Sequence, residues 1–427
     1  MGVITLELVT VPRIMATYNV NLHEVVYSLS NALDLVGVSH IHHGKRVAYM
    51  ATEIGKQLGW NGAMLDELFQ SAILHDIGVS KTQVHKHLAE LEWELEKDHC
   101  VVGHDLLQGC SLLVHLAPNI LYHHTHWEML ERLDLADSTK LIANCIYLVD
   151  RVDVQTLREI TDGRDILLGK ERICAVVGNY AGDWFYPGLV DAFMEVSKSD
   201  AFWFRLEREH VNGYLATWLS HSGERAVSFE ELKSVVGVFS HVVDAKSSFT
   251  KEHSEGVARL AQHLGNEFEL SEESCELLEL AGLLHDIGKL RVPDELLEKP
   301  GSLSETEHCI MHRHSFDTYD ILKNVRGMEQ VATWASQHHE RVDGSGYPYM
   351  TGEHEISIEA RILAVADVFQ ALAQRRPYRE ALPPEQILGI LRLEADNGKL
   401  DKGVVEKVGA NLQRCWEESL LMDRTEH

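Results

Sequence analysis

The chain has 427 residues, 45% of them hydrophobic, with seven cysteines and a formal net charge of −27. It is too long for one hydrophobic core and too apolar for a disordered chain, so two domains of roughly 200 residues each are expected. The acidity argues against a nucleic-acid polymer as partner, because binding phosphates takes a basic surface, but metal ions and a few arginines can still hold a small anion.

Residues 1–20, including Pro12, match nothing later in the chain and stand as an unassigned leader. They carry no basic segment followed by an apolar one, and no run of about 18 apolar residues occurs anywhere, so neither a secretory signal nor a membrane span is expected. The cysteines are scattered and odd in number, without a CxxC pair, which fits a reducing cytoplasm.

From there the chain reads as helix. "HHGKRVAYMATEIGKQLG" places apolar residues at i, i+3, i+4 and i+7 and carries His43. "AILHDIGVS" follows with His75-Asp76, then "HCVVG" with His99, then His123-His124, and "ANCIYLVDRV" with Asp150. The stretch "SHSGERAVS", residues 220–228, has the composition of a linker. Beyond it the series repeats: His253 in another amphipathic segment, His285-Asp286 in "GLLHDIGKL", His314, His338-His339, and Asp367 in "RILAVADVF". In each half the first histidine precedes the His-Asp pair by 32 residues, and the third precedes the His-His pair by 24. Two tandem copies of one all-α domain, over 1–222 and 229–427, are the economical explanation.

Each copy offers five imidazoles and two carboxylates, a shell suited to two transition-metal ions and to metal-assisted hydrolysis. Adjacent helical residues diverge by about 100°, so a His-Asp pair can serve two ions. A chain with 26 histidines produces pairs by chance, and His23, His115 and His263 are read as ordinary histidines. Matched spacings in duplicate are not explained that way. In the first half His42 competes with His43, and His104 with His99; equal spacing favours His43 and His99.

The second half resembles an HD-GYP domain, the phosphodiesterase branch of the HD superfamily. The strings that carry the resemblance are "HDIGKLRVPDELLEKPGSLSETE", "HHERVDGSGYP", "ARILAVADVFQAL" and "RRPYR". The resemblance implies an all-helical hydrolase opening cyclic di-GMP or cyclic GMP-AMP to the linear dinucleotide, in some members on to mononucleotides. It implies two divalent ions, iron first and manganese next. One would be held by His253, His285, Asp286 and Asp367; the other would share Asp286 and take His314, His338 and His339. Asp286 and Lys289 become the catalytic candidates, Lys289 as the contact to the scissile phosphate. Arg376, Arg379, Gly346 and Tyr347 become substrate-binding candidates, with Gly344 and Pro348 completing the loop that names the family. That loop is as readily structural as ligand-binding.

Two departures stand out. Phe249 occupies the position where some members place a third-metal glutamate, so two ions are expected. Gln370 replaces a common aspartate, which bears on the order around the ligands.

The first half keeps His43, His75, Asp76, His99, His123, His124 and Asp150, a second candidate metal site. It lacks the rest: Val79 stands for Lys289, "HHTHWEMLER" replaces the loop, and no "RPYR" follows. A metal-loaded regulatory domain, a hydrolase of other nucleotides and a decayed repeat are its three readings. For the whole chain, the alternatives to a cyclic dinucleotide phosphodiesterase are a general HD phosphohydrolase and a metal-containing receptor without turnover. A homodimer or a signalling protein is the candidate macromolecular partner, and no membrane is expected.

Overall fold

The computed structural model describes residues 17–36, 42–79, 97–161, 165–220, 223–244, 246, 250–299, 301–375 and 380–420. Arg376, Arg379 and Phe249 therefore lie outside the described residues. The described chain is helical apart from one two-stranded sheet.

In the first half the longer helices are α1 (Leu22–Leu33), α2 (His43–Gln57), α3 (Gly62–Ile73), α4 (Lys97–Gln108), α5 (Ala117–Tyr122) and α6 (Asp137–Thr161). Three more close it: α7 (Ile166–Asn179), α8 (Pro187–Val196) and α9 (Arg208–Leu219). The second half opens with α10 (Phe229–Asp244), α11 (Thr250–Glu267), α12 (Glu272–Leu284), α13 (Glu305–Leu322), α14 (Glu329–Ser336) and α15 (Ile358–Ala373). It ends with α16 (Pro384–Asp396), α17 (Lys402–Ala410) and α18 (Leu412–Ser419).

Side chains cap several of these helices and take up backbone N–H groups with no partner inside the helix. Asn61 Oδ1 accepts from Met64 N, and Ser271 Oγ accepts from Ser274 N. At α13, Ser304 and Glu307 form a reciprocal capping box. Apolar stripes then drive packing. α2 lies on α3 and α6, and α11 lies on α12 and α15 in the same way. Leu68, Ile73, Ile146 and Val149 line the first core; Leu260, Leu278, Leu284 and Val365 line the second.

Two expectations need correction at the join. Thr17–Val20, read as part of a leader, form strand β1, and Arg225–Ser228, read as linker, form β2. They pair antiparallel, Thr17 opposite Ser228 and Val20 opposite Arg225. Each strand runs straight into the first helix of its own repeat, and those helices cross over. α1 packs on α13 of the second repeat, while α10 packs on α4 of the first. Ser28 Oγ donates to Ile321 O at 2.5 Å, and Tyr18 Oη donates to Glu276 Oε2 at 2.5 Å. No local periodicity announces a four-residue strand whose partner, Arg225–Ser228, lies in the other half of the chain.

Candidate metal centres

In the second repeat all seven predicted residues converge. His253 starts its approach from the first turn of α11, His285 caps α12, His314 stands on α13, His338-His339 follow α14, and Asp367 stands on α15. Three imidazoles are aimed by one device. The Nδ1–H of His285 donates to Gly282 O at 2.7 Å, that of His314 to Met311 O at 2.6 Å, and that of His338 to Ala335 O at 2.6 Å. Each acceptor is the carbonyl three residues back, so each Nε2 is left to face the centre.

Asp286 divides the centre. Its Oδ2 lies 3.3 Å from His285 Nε2 and 3.8 Å from His253 Nε2. Its Oδ1 lies 3.5 Å from His314 Nε2 and 3.8 Å from His338 Nε2. Asp367 Oδ1 stands 3.2 Å from His253 Nε2 on the first side, and His339 joins His314 and His338 on the second. Both His285 Nε2 and Asp286 Oδ1 are buried without a hydrogen bond. A cation on each side would satisfy them, so the donor set fits two ions.

The local electrostatics favour the same end. Burial lowers His314 to about 4 and His338 to about 3, with neighbouring imidazoles adding to the effect, so both are neutral ligands near pH 7. Burial opposes charge on the carboxylates too. His285 and Lys289 nevertheless hold Asp286 well below the usual range, and hydrogen bonding from His253 does the same for Asp367.

Lys289 Nζ donates to Asp286 Oδ2 at 2.5 Å, so the predicted phosphate contact stands against the dividing carboxylate. Gly346 has no room for a side chain: a Cβ would come within 2.5 Å of Glu340 Cα. Tyr347 stacks on His312 at 3.8 Å between centroids and lies 4.8 Å from the His339 ring. The loop thus braces the His-His ligands from outside.

The first repeat builds the same shape. Asp76 Oδ2 is 3.5 Å from His75 Nε2 and 3.6 Å from His43 Nε2, and Asp76 Oδ1 is 3.5 Å from His99 Nε2. Asp150 Oδ1 is 3.2 Å from His43 Nε2. His75 and His123 repeat the carbonyl device, onto Ala72 O and Ile120 O. The competing histidines point elsewhere: His42 pairs with Asp34 at 3.1 Å, and His104 with Asp105 at 2.9 Å. His23, read as ordinary, is stacked on Trp218 and paired with Asp66.

Around that shape the repeat differs. Val79 is buried where Lys289 reaches its carboxylate, and the short helix Trp127–Leu130, tied to Trp184 O, stands in place of the glycine loop. Arg151 Nη2 holds Asp150 Oδ2 at 2.6 Å, where the second repeat has Val368. A cavity of about 520 Å³ reaches His124 and Cys100, lined otherwise by apolar groups such as Leu121, Met129 and Leu133, with Arg132.

Gln370, expected to bear on the order around the site, has a definite partner in His253, and two further residues, Asp153 and Cys100, escaped the sequence reading. Gln370 Oε1 accepts from the Nδ1–H of His253. Asp153 Oδ2 accepts from that of His43 at 2.7 Å while Arg46 Nε holds Asp153 Oδ1 at 2.6 Å. The third is Cys100, whose Sγ lies 3.7 Å from His99 Nε2. Asp153 stands three residues after Asp150, as Gln370 does after Asp367, a parallel that the repeat alignment could have exposed.

A family model described as HD domain matches residues 41–155, and a second of the same description matches 237–404. The chain is 37% identical over 428 residues to the 3'3'-cGAMP-specific phosphodiesterase 1 of Vibrio cholerae serotype O1, covering 98% of both chains. The chain belongs to the HD-GYP family of cyclic dinucleotide phosphodiesterases. It is also 37% identical, over 171 residues, to a cyclic di-GMP phosphodiesterase of Thermotoga maritima, covering 40% of this chain and 46% of that one. The fold matches the crystal structure of a cyclic GMP-AMP-specific phosphodiesterase from V. cholerae with a TM-score of 0.63, over 93% of this chain and 98% of that one, at 24% identity. Among the described residues no helix is long and apolar enough to cross a membrane.

Proposed function

We propose that the domain over 229–427 hydrolyses 3'3'-cyclic GMP-AMP in the cytoplasm, with the domain over 1–222 as a metal-holding regulatory partner that does not open the ring. The observation that carries the reading is the division of Asp286 between two sets of imidazoles, 3.3 to 3.8 Å from each oxygen. One ion takes His253, His285, Asp286 and Asp367; the other takes Asp286, His314, His338 and His339. Iron suits this mixed nitrogen and oxygen shell, with manganese next. Bound there, the two ions would activate water and neutralise charge developing on the phosphoryl oxygens.

The chain's own residues supply the rest. Asp286 aligns both halves of the centre on one phosphate, and the carbonyl-anchored imidazoles hold their directions without reorganising. Lys289 Nζ, partly exposed beside Asp286, is the cation placed to leave its carboxylate for a phosphate oxygen. Arg376 and Arg379 are proposed to grip the anionic ligand, and Gly346 with Tyr347 to shape the rim. The preference for the mixed dinucleotide follows the full-length relative named for it.

The test is a panel of cyclic dinucleotides offered to iron- and manganese-loaded protein, repeated with Asp286→Ala. Hydrolysis of 3'3'-cyclic GMP-AMP, and loss of both activity and second-centre metal in the variant with helicity kept, is expected. Near-full activity of the variant sinks the assignment, and tight binding without turnover by the native protein would favour a receptor.

A further inference from the structure

We propose that Cys100 is a metal ligand of the first centre, so that this centre is a sulfur-containing site of a different kind from the second. The inference rests on the reading that the first repeat holds metal at all.

Cys100 follows His99 on α4 and is buried to the same degree as the imidazoles around it, at 2% exposure against 5% for His99 and 0% for His123. Its Sγ lies 3.7 Å from His99 Nε2 and 4.0 Å from His123 Nε2, and those two nitrogens are 3.2 Å apart. With His124 the four ligand atoms all fall within 4.8 Å of one another. A tetrahedral zinc site with Zn–N of about 2.0 Å and Zn–S of about 2.3 Å has nitrogen–nitrogen edges of about 3.3 Å and sulfur–nitrogen edges of about 3.5 Å. The nitrogen–nitrogen edge of 3.2 Å matches, and the sulfur edges of 3.7 and 4.0 Å are a few tenths of an ångström longer, a gap that contraction onto an ion would close.

The second centre offers an internal comparison. Ser315 takes the matching position there, its Oγ 3.2 Å from His314 Nε2. An alcohol is a poor ligand to such ions, whereas a thiolate is among the best for zinc. On coordination the thiol proton passes to solvent and no other bond changes. The consequence is a closed site. His99, His123, His124 and Cys100 would by themselves complete a tetrahedral shell and fill the position that a hydrolytic centre leaves open for water and substrate. This gives a chemical reason, beyond the missing lysine and loop, for the first centre to hold an ion without turning over phosphodiesters.

The experiment uses the full chain. Zinc-loaded Asp286→Ala protein, in which zinc is confined to the first centre, is examined by X-ray absorption; a sulfur scatterer at about 2.3 Å is expected. In parallel, cobalt(II) replaces the metal in native protein, which should show a thiolate-to-cobalt charge-transfer band. Cys100→Ser should abolish the band and speed loss of first-centre metal to a chelator at least about ten-fold. A nitrogen- and oxygen-only shell, or a band that persists in Cys100→Ser, overturns the proposal while leaving a metal site of another composition. Absence of zinc from the first centre in the Asp286→Ala protein overturns both the proposal and the reading beneath it. A thiol that only hydrogen-bonds to His99 gives no sulfur scatterer and no band.

Discussion

At Asp286 one carboxylate faces two imidazole clusters, and the residues touching it divide into those that could hold ions and one that could not. Lys289 is the exception. Its ammonium neutralises the carboxylate from the open side, 2.5 Å away, and is the group free to follow charge onto a phosphate. Lys289→Ala is expected to keep both second-centre ions and to lower kcat about 10²-fold, the usual scale for one transition-state contact. Metal analysis beside steady-state rates checks this; loss of metal at unchanged rate per ion would make the lysine structural. Gln370 carries a subtler lesson. Its amide oxygen holds the Nδ1–H of His253 as the carboxylate of Asp153 holds that of His43. The neutral acceptor orients the ring without placing a second charge beside it.

At the scale of elements, the His-Asp turn and the helix carrying the third histidine are pressed together in both repeats. A Cβ on Gly288 would sit 1.9 Å from His314 O, and one on Gly78 would sit 2.1 Å from His99 O. Backbone cannot yield at such a distance without moving a ligand. Gly288→Ala is therefore expected to cost about 1–3 kcal/mol of stability and to empty the second centre, measured by thermal unfolding with metal analysis. The same helix, α13, shows what holds its start. Glu307 is depressed to about 2, first by its hydrogen bond from Lys299 and then by Ser304. A depressed carboxylate stabilises the fold above its ordinary 4.5 and loses that contribution as pH falls through about 2. Glu307→Gln should thus lower the unfolding midpoint at pH 7, with the gap to the native protein narrowing below pH 4.5. A gap that stays constant into acid would assign the effect to something other than the charge.

Across the whole molecule the two repeats are joined by exchange. Each first helix packs on the third-histidine helix of the other repeat, and β1 with β2 ties the two chain entries together. Arg326 adds a surface link, reaching Glu24 at 2.9 Å and Glu224 at 2.7 Å. The first repeat is thereby packed against the second, yet lacks counterparts of Lys289 and the glycine loop. His75→Ala with Asp76→Ala should lower total metal and leave most of the turnover in place, within about two- to five-fold, the span of a weak coupling between sites. Loss of nearly all turnover with the second centre fully loaded would instead place the first centre in the reaction.

The duplicated spacing of 32 and 24 residues was enough to single out the histidines and aspartates that converge and the all-helical repeat, because those intervals measure helices whose periodicity is local. The same strings were enough for the family. Tertiary structure decided what joins distant positions. It placed the two oxygens of Asp286 on opposite sides, set Gln370 against His253 117 residues away, and brought Ser28 to Ile321 across 293. It turned part of the supposed linker into a strand. It also aimed Cys100 at two imidazoles, where the sequence offered only a scattered cysteine. A side chain's rotamer and the crossing of two helices depend on packing summed over the entire core. No window of neighbouring residues encodes that sum.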